Sequence, residues 1–374
     1  MFEDIVRPEI KALKAYVPGR SIEEIRQEYG IEQVVKMASN ENPLGVSPRV
    51  QRTLADHAGE AFRYPAGGNP RLVKALASHL GVPAERIAVG NGSDEIIDLI
   101  IRMTTVPSRD NIVCYRPCFA LYPIQSQING VEVRREPLPD DFRFDFGKLL
   151  AHVDENTRLV FVTTPDNPSG YCPKPAEVRA LAEQLPAGCL LVVDEAYIDF
   201  APEEGESEDD WSLLHAKDCP ANIAFIRTFS KCYGLAGLRI GIGILPGDLA
   251  SYYWRMRLPF SLNILAEEAA LTALDDEDFR EATLSCVREG RKVLFDGLKA
   301  LGCTVYPSRA NFLMFAPPKG IEASDVYVGL LKKGVIVRAL KSYEMPWNIR
   351  VSIGSPRENK LFLDGMRELL GKGA

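Results

Sequence analysis

The chain has 374 residues, of which 46% are hydrophobic and 25% charged, an ordinary soluble globular composition long enough for about two domains. Its 44 lysines and arginines against 51 acids leave a net charge of −7. Nothing broadly basic is therefore available to neutralise phosphates, which argues against nucleic acid or an acidic membrane as the main partner.

Met1 is followed by Phe2, Glu3 and Asp4, unlike a signal peptide or an Arg-rich transit peptide. The most apolar window, Ile96 to Val106, is broken by Asp98 and Arg102 and is too short to span a bilayer. The eight cysteines (114, 118, 172, 189, 219, 232, 286 and 303) form no Cys-x-x-Cys pair, and several sit in strand-like apolar runs. Reduced, buried thiols in a cytoplasmic protein are expected, rather than a disulfide framework or a zinc site. The four histidines, 57, 79, 152 and 215, have no ligand-like spacing, so no metal is expected.

In chain order, Arg86 to Gly90 reads as a strand and Asp94 to Met103 as the helix after it. Short β-branched runs, apolar on both faces, follow at Asn111–Tyr115, Val131–Arg134, Leu159–Thr163, Leu190–Val193 and Ile223–Ile226. Strands of a buried parallel sheet look like this. Helix-periodic segments such as Ala176–Leu185 separate some of them, so the class is α/β with βαβ connections. Pro202 to Asp210 is strongly acidic and reads as a solvated loop. Beyond about residue 245 the pattern changes. Ser261–Leu274 and Asp278–Leu301 are expected as long amphipathic helices, followed by strands at Thr304–Tyr306, Asn311–Phe315, Val335–Arg338 and Ile349–Ile353. The expected organisation is a large domain over 36–260 and a smaller α+β domain over 261–374, with an N-terminal segment, 1–35, packing on the small domain.

Four clusters carry chemistry. Gly90-Asn91-Gly92-Ser93-Asp94-Glu95 lies between a strand and a helix, where the amides of Gly92, Ser93 and Asp94 would face an anion. Ser93 or Asp94 capping the helix is the alternative. Glu95 stands where a dinucleotide fingerprint needs its third glycine. Thr164-Pro165-Asp166-Asn167-Pro168-Ser169-Gly170 follows another strand and reads either as a plain turn or as a carrier of Asn167 into a site. Leu191 to Tyr197 ends a buried strand with Asp194, and an unpaired buried carboxylate costs several kcal/mol, so it needs a cationic partner. A protonated pyridine nitrogen would serve, with Tyr197 on the ring's phenolic oxygen. Thr228-Phe229-Ser230-Lys231 is followed by a glycine-rich turn and Arg239. Lys231 is placed there to form an imine with an aldehyde while Thr228, Ser230 and Arg239 bind a phosphate.

These clusters, in this order and spacing, resemble the fold-type-I aminotransferases that use pyridoxal 5'-phosphate (PLP), over essentially the whole chain. Within them the likeness is to the histidinol-phosphate aminotransferases of the class II subfamily. It is carried by Lys14 to Arg20, Ser39 to Gly45, Arg63-Tyr64-Pro65, Gly90 to Glu95 and Ile349 to Gly354. The resemblance implies a mainly parallel seven-stranded sheet in the large domain. It makes Lys231 the Schiff-base lysine, with Asp194 on the pyridine nitrogen and Tyr197 and Asn167 on the ring oxygen. Gly92, Ser93, Asp94, Thr228, Ser230 and Arg239 would hold the phosphate. Phe119 would stack on the ring where many relatives have tyrosine. Ser169 and Asp166 are further departures, from threonine and asparagine.

The resemblance also implies a homodimer with shared active sites, in which Tyr64 reaches the phosphate of the neighbouring subunit; an interface tyrosine is the alternative. Arg350 would clamp the substrate's anionic group, Arg338 would add a second positive charge, and Tyr16 would close over the same group, although strand-end arginines are often plain surface residues. The implied reaction is transamination between L-histidinol phosphate and 2-oxoglutarate, giving imidazole-acetol phosphate and L-glutamate, in histidine biosynthesis. An aromatic amino acid aminotransferase and a PLP-dependent threonine-phosphate decarboxylase remain as alternatives.

Overall fold

The fold is described from a computed structural model for residues 2–13 and 19–371. Its strands in chain order are β1 (Val35–Lys36), β2 (Ile87–Asn91), β3 (Asn111–Arg116), β4 (Glu132–Pro137), β5 (Thr157–Thr163), β6 (Leu190–Asp194) and β7 (Ile223–Thr228). They continue with β8 (Ile240–Ile244), β9 (Thr304–Val305), β10 (Phe312–Ala316), β11 (Val335–Ile336), β12 (Arg338–Ala339) and β13 (Ile349–Ser352). β2 to β8 form a seven-stranded sheet in the order β2-β8-β7-β6-β5-β3-β4. Only β8 runs against its neighbours, so the sheet is mainly parallel, as the resemblance implied. β6 and β7 are buried along their whole length. This is the burial that a sheet covered by helices on both faces imposes, and it explains why these strands read as unbroken apolar runs.

β8 is absent from the strands expected above, because Ile240-Gly241-Ile242-Gly243-Ile244 puts glycine at alternate positions and glycine weakens a strand pattern. Close packing explains the glycines. A Cβ at Gly241 would fall 2.2 Å from the Ser93 nitrogen and 2.3 Å from the Gly92 carbonyl carbon, and one at Gly243 3.1 Å from Ile96. Bare backbone at these positions lets the first turn of the helix Gly92–Thr104 press onto the sheet.

A second, antiparallel sheet has the order β12-β13-β10-β9. The helices Glu277–Ala300 and Pro356–Leu369 pack together, and the first lies against β9 and β10. The single strand expected over Val335–Arg338 is two. Val335–Ile336 pairs parallel with β1, whereas Arg338–Ala339 pairs with β13, so the chain changes sheets at Val337. The helix expected from Ser261 starts at Ile264 because Asn263 caps it, its side chain accepting the Ala266 N–H at 2.9 Å.

The N-terminal contacts are divided. The short helix Pro8–Lys11 lies against the helix Leu121–Ile128 of the large sheet's unit. The helix Ile22–Tyr29, opened by a Ser21/Glu24 capping box, packs Ile25 against Leu331 and Ile336. The helix Ile264–Leu274 lies on the helices Pro48–His57 and Pro70–Leu80. One apolar core runs from the large sheet into the small one.

All eight cysteines are free, five buried and three partly buried. The acidic stretch 202–210 is more than a solvated loop. Glu206 accepts the Trp211 indole N–H at 3.0 Å and an Arg309 N–H at 2.6 Å, and Glu208 pairs with Arg227 at 2.7 Å. Among the described residues no helix is long and apolar enough to cross a membrane.

Candidate active site

The carboxyl ends of three neighbouring parallel strands open onto one cavity. β5 ends in Thr163, which is in register beside Asp194 at the end of β6, and β7 ends in Thr228. Open α/β sheets bind ligands outside this edge, where the loops leave the strands. The cavity, ≈ 180 Å³, is lined by Ser93, Asp94, Phe119, Asn167, Asp194, Tyr197, Thr228, Ser230, Lys231 and Arg239, together with Thr163, Ala196 and Ala236. The first ten are residues that the sequence pointed to.

Asp194 is buried at the floor. Its Oδ2 accepts the Tyr122 hydroxyl at 2.6 Å and its Oδ1 the Ala196 N–H at 3.1 Å. Neither donor is a cation. Burial pushes the carboxyl up to about 6, against the pull of the Tyr122 bond. Tyr122 is itself held by stacking on Phe161, with ring centroids 4.5 Å apart, and by Thr163 Oγ1 at 2.8 Å. Phe119 meets the edge of Tyr122 at 5.6 Å.

Lys231 is partly buried, and its Nζ donates to the Ser39 carbonyl at 3.1 Å. Burial, and after it the positive Arg350, bring the amine down to about 8. A useful fraction is then neutral and nucleophilic near neutral pH, which an ordinary surface lysine is not.

Arg350 projects from β13 and is 6% exposed. Its Nη1 donates to Asn167 Oδ1 at 2.5 Å and its Nη2 to the Ala38 carbonyl at 2.8 Å, while Nε has no partner among the described residues. Its hydrogen-bond partners are thus all neutral. Tyr197 accepts the Asn40 side-chain N–H at 3.0 Å and meets Phe312 edge-on. Asp166 spends its carboxylate inside its own turn, accepting the backbone N–H of Ser169 at 3.1 Å and its hydroxyl at 2.6 Å, and burial raises it to about 6.

Gly92, next in the chain to Ser93 but itself outside the cavity lining, has φ +78°, a left-handed turn that bends the chain into the helix start. A Cβ there would fall 2.4 Å from an Arg239 nitrogen. Arg239 is also left-handed (φ +56°) and reaches Asp94 Oδ2 at 3.1 Å. Thr228 Oγ1 lies 2.9 Å from Ser230 Oγ and accepts the Ser230 N–H at 3.1 Å. Part by part this set suits PLP: an amine for its aldehyde, a buried carboxylate for its ring N–H, donors for its ring oxygen, an aromatic face, and an amide, hydroxyl and guanidinium cup for its phosphate.

Other residues singled out in the sequence lie elsewhere. Arg338 is directly opposite Arg350 on the neighbouring strand and donates to Ser342 Oγ at 3.3 Å, outside the cavity lining. Tyr64 is 80% exposed and stacks on Phe260 at 4.8 Å. Tyr16 lies outside the described residues. Tyr122, Asn40 and Ser352 join the site without having been expected there. Tyr122 follows Phe119 at helical spacing, a usable signal, and Asn40 and Ser352 fall inside the stretches Ser39 to Gly45 and Ile349 to Gly354 that carry the resemblance, although nothing local says what either side chain does.

The class I and II aminotransferase family matches residues 32–365. A histidinol-phosphate aminotransferase of Nitratidesulfovibrio vulgaris is 54% identical over 98% of this chain and 97% of its own. One of Oleidesulfovibrio alaskensis is 53% identical over 98% and 95%. Among solved structures, the histidinol-phosphate aminotransferase of Sinorhizobium meliloti in complex with pyridoxal-5'-phosphate superposes with a TM-score of 0.87 at 29% identity, covering 99% of this chain and 98% of that one. The chain belongs to the class I and II aminotransferase family, within which its full-length relatives at 54% and 53% identity are histidinol-phosphate aminotransferases.

Proposed function

We propose that this protein transfers an amino group between L-histidinol phosphate and 2-oxoglutarate, giving imidazole-acetol phosphate and L-glutamate, with PLP as cofactor, as a step of histidine biosynthesis. The observation that carries the reading is the cavity that sets a lysine amine brought down to about 8 near a buried carboxylate whose bonded partners among the described residues are a tyrosine and a backbone N–H. Full-length relatives bearing that name support the choice of substrate.

When bound, PLP supplies an aldehyde that condenses with amines and a protonated ring that withdraws electrons from the neighbouring carbon. Asp194 holds the proton on the ring nitrogen. Lys231 Nζ takes and returns the proton at the substrate carbon that bears nitrogen. Tyr197 and Asn167 hold the ring oxygen, and Phe119 covers one face. Gly92 turns the backbone so that the amides of Ser93 and Asp94, with Thr228, Ser230 and Arg239, hold the phosphate. Arg350 binds the substrate's anionic group as a fork, Arg338 adds a second charge for a phosphate or side-chain carboxylate, and Tyr16 closes over it.

A homodimer with shared sites belongs to the same reading, with Tyr64 reaching the partner's phosphate. The exposed aromatic patch of Tyr64 on Phe260 supports it, along with exposed Phe62 and Leu258 two residues before each. The same reading takes in a division of the chain into 1–35, 36–260 and 261–374 and a cytoplasmic location. Mixing the PLP-loaded protein with L-histidinol phosphate should convert its visible spectrum to the pyridoxamine form, and Lys231→Ala should abolish the conversion. Conversion by phenylalanine alone would turn the reading to an aromatic aminotransferase, and release of carbon dioxide would turn it to a decarboxylase. Full turnover by Lys231→Ala would sink both the lysine's role and the reading.

A further inference from the structure

Three consecutive residues touch three parts of the candidate site. The Ala38 carbonyl accepts from Arg350 at 2.8 Å, the Ser39 carbonyl from Lys231 at 3.1 Å, and the Asn40 side chain donates to the Tyr197 hydroxyl at 3.0 Å. Asn40 is 1% exposed and stands at φ +55°, a conformation that asparagine and glycine tolerate and most residues do not.

The hydrogen bonds around Asn40 have a direction. Its backbone N–H can only donate, and it does so to Ser352 Oγ at 2.8 Å. Ser352 is 4% exposed, and its one hydroxyl proton goes to Asn40 Oδ1 at 2.9 Å. With the amide turned the other way, that proton would lose this acceptor in a buried place, so the chain of bonds sets which end of the amide faces Tyr197. Nδ2 therefore donates to the Tyr197 oxygen. The tyrosine's own proton must then point away from Asn40, and the cavity that Tyr197 lines is where an acceptor can enter. The Asn40 carbonyl is tied as well, by Asn311 Nδ2 at 3.0 Å, so the residue cannot readily turn.

We propose that Asn40, oriented by Ser352, is a positioning residue that makes the Tyr197 hydroxyl a donor to the ring oxygen of bound PLP and thereby weakens the hold of Lys231 Nζ on its proton. The inference rests on the PLP reading above. Its sign follows from electrostatics: a donor on the ring oxygen draws off negative charge beside Lys231 Nζ, so that nitrogen releases its proton at lower pH. Losing the donor moves the midpoint up.

The test is a pH titration of the visible absorbance of the PLP-loaded protein. Asn40→Gly keeps the backbone conformation, and its midpoint should rise by about half to one pH unit, the size of one neutral hydrogen bond. Ser352→Ala leaves Asn40 in place and should move the midpoint the same way; it decides the matter if the glycine variant does not fold. In a Tyr197→Phe background neither change should add a further shift, because the route runs through the hydroxyl. An unmoved midpoint in the folded variants, or a full extra shift in the phenylalanine background, overturns the role of Asn40. Failure of the wild-type protein to develop PLP absorbance at all would overturn the cofactor reading instead, so the two failures are distinct.

Discussion

Two charged regions lie back to back across the ends of β6 and β7, and they treat charge in opposite ways. Behind the sheet, Arg227 and Glu195 pair at 2.7 Å, Glu208 joins at 2.7 Å, and Ser212 donates to Glu195 at 2.6 Å. In front, Asp194 and Arg350 are just as buried and, among the described residues, are bonded only to neutral groups. Side-chain alternation along a strand makes this possible, since Asp194 and Glu195, like Thr228 and Arg227, are chain neighbours that face opposite sides. Buried charges that the protein neutralises for itself, unlike the half-exposed Arg239–Asp94 pair in the cavity, hold the structure together. Charges left uncompensated mark where a ligand brings the missing partner.

The contrast can be broken by experiment. Arg227→Met should cost about 3–5 kcal/mol of stability, because it strands Glu195 and Glu208 without their cation; urea unfolding measures it, and a loss below about 1 kcal/mol would remove the rear region's structural role. Arg350→Met should lower kcat/KM for glutamate by roughly 30- to 1000-fold, about 2–4 kcal/mol of lost anion binding. The PLP-free form of that variant should be at least as stable as the wild type, since a buried charge with only neutral partners has been removed. Marked destabilisation there would make Arg350 a structural residue like Arg227.

Tyr122→Phe should have the smallest effect and sharpens the front region. The tyrosine pulls the Asp194 carboxyl down, so its loss lets burial raise that group further above about 6. The proposed pairing with the ring nitrogen needs the ionised carboxylate, so PLP affinity should be present above the Asp194 pKa and be lost as pH falls through it. In Tyr122→Phe that loss should begin at higher pH, read by PLP titration across the acid range; an unshifted profile would leave the 2.6 Å bond without a role in binding.

Much of the front region was legible because its chemistry is local. A carboxylate at the end of an apolar run, a lysine before a glycine-rich turn and a Gly-x-Gly strand-to-helix turn are each complete within about ten residues, and α/β alternation then places all three at one edge of the sheet. The antiparallel strand β8 was missed for the opposite reason. Its glycines are dictated by a helix from another part of the chain, and read alone they look like loop. The split of Val335–Arg338 likewise depends on partners, β1 for one half and β13 for the other.

The residues by themselves pointed to the α/β class, to PLP as cofactor and to Lys231 and Asp194 as the proposed amine and carboxylate, because short-range pattern and residue type suffice for these. Only the tertiary structure decided which groups orient them. Asn40 meets Tyr197 across 157 positions and Ser352 across 312, and Tyr122 meets Asp194 across 72. A hydrogen bond is specified by where two atoms finish in space, and no periodicity in the chain encodes a meeting at that distance. Lys231 and Asp194 could be read from the line of letters; the bonds that hold Asp194 and Tyr197 in place could not.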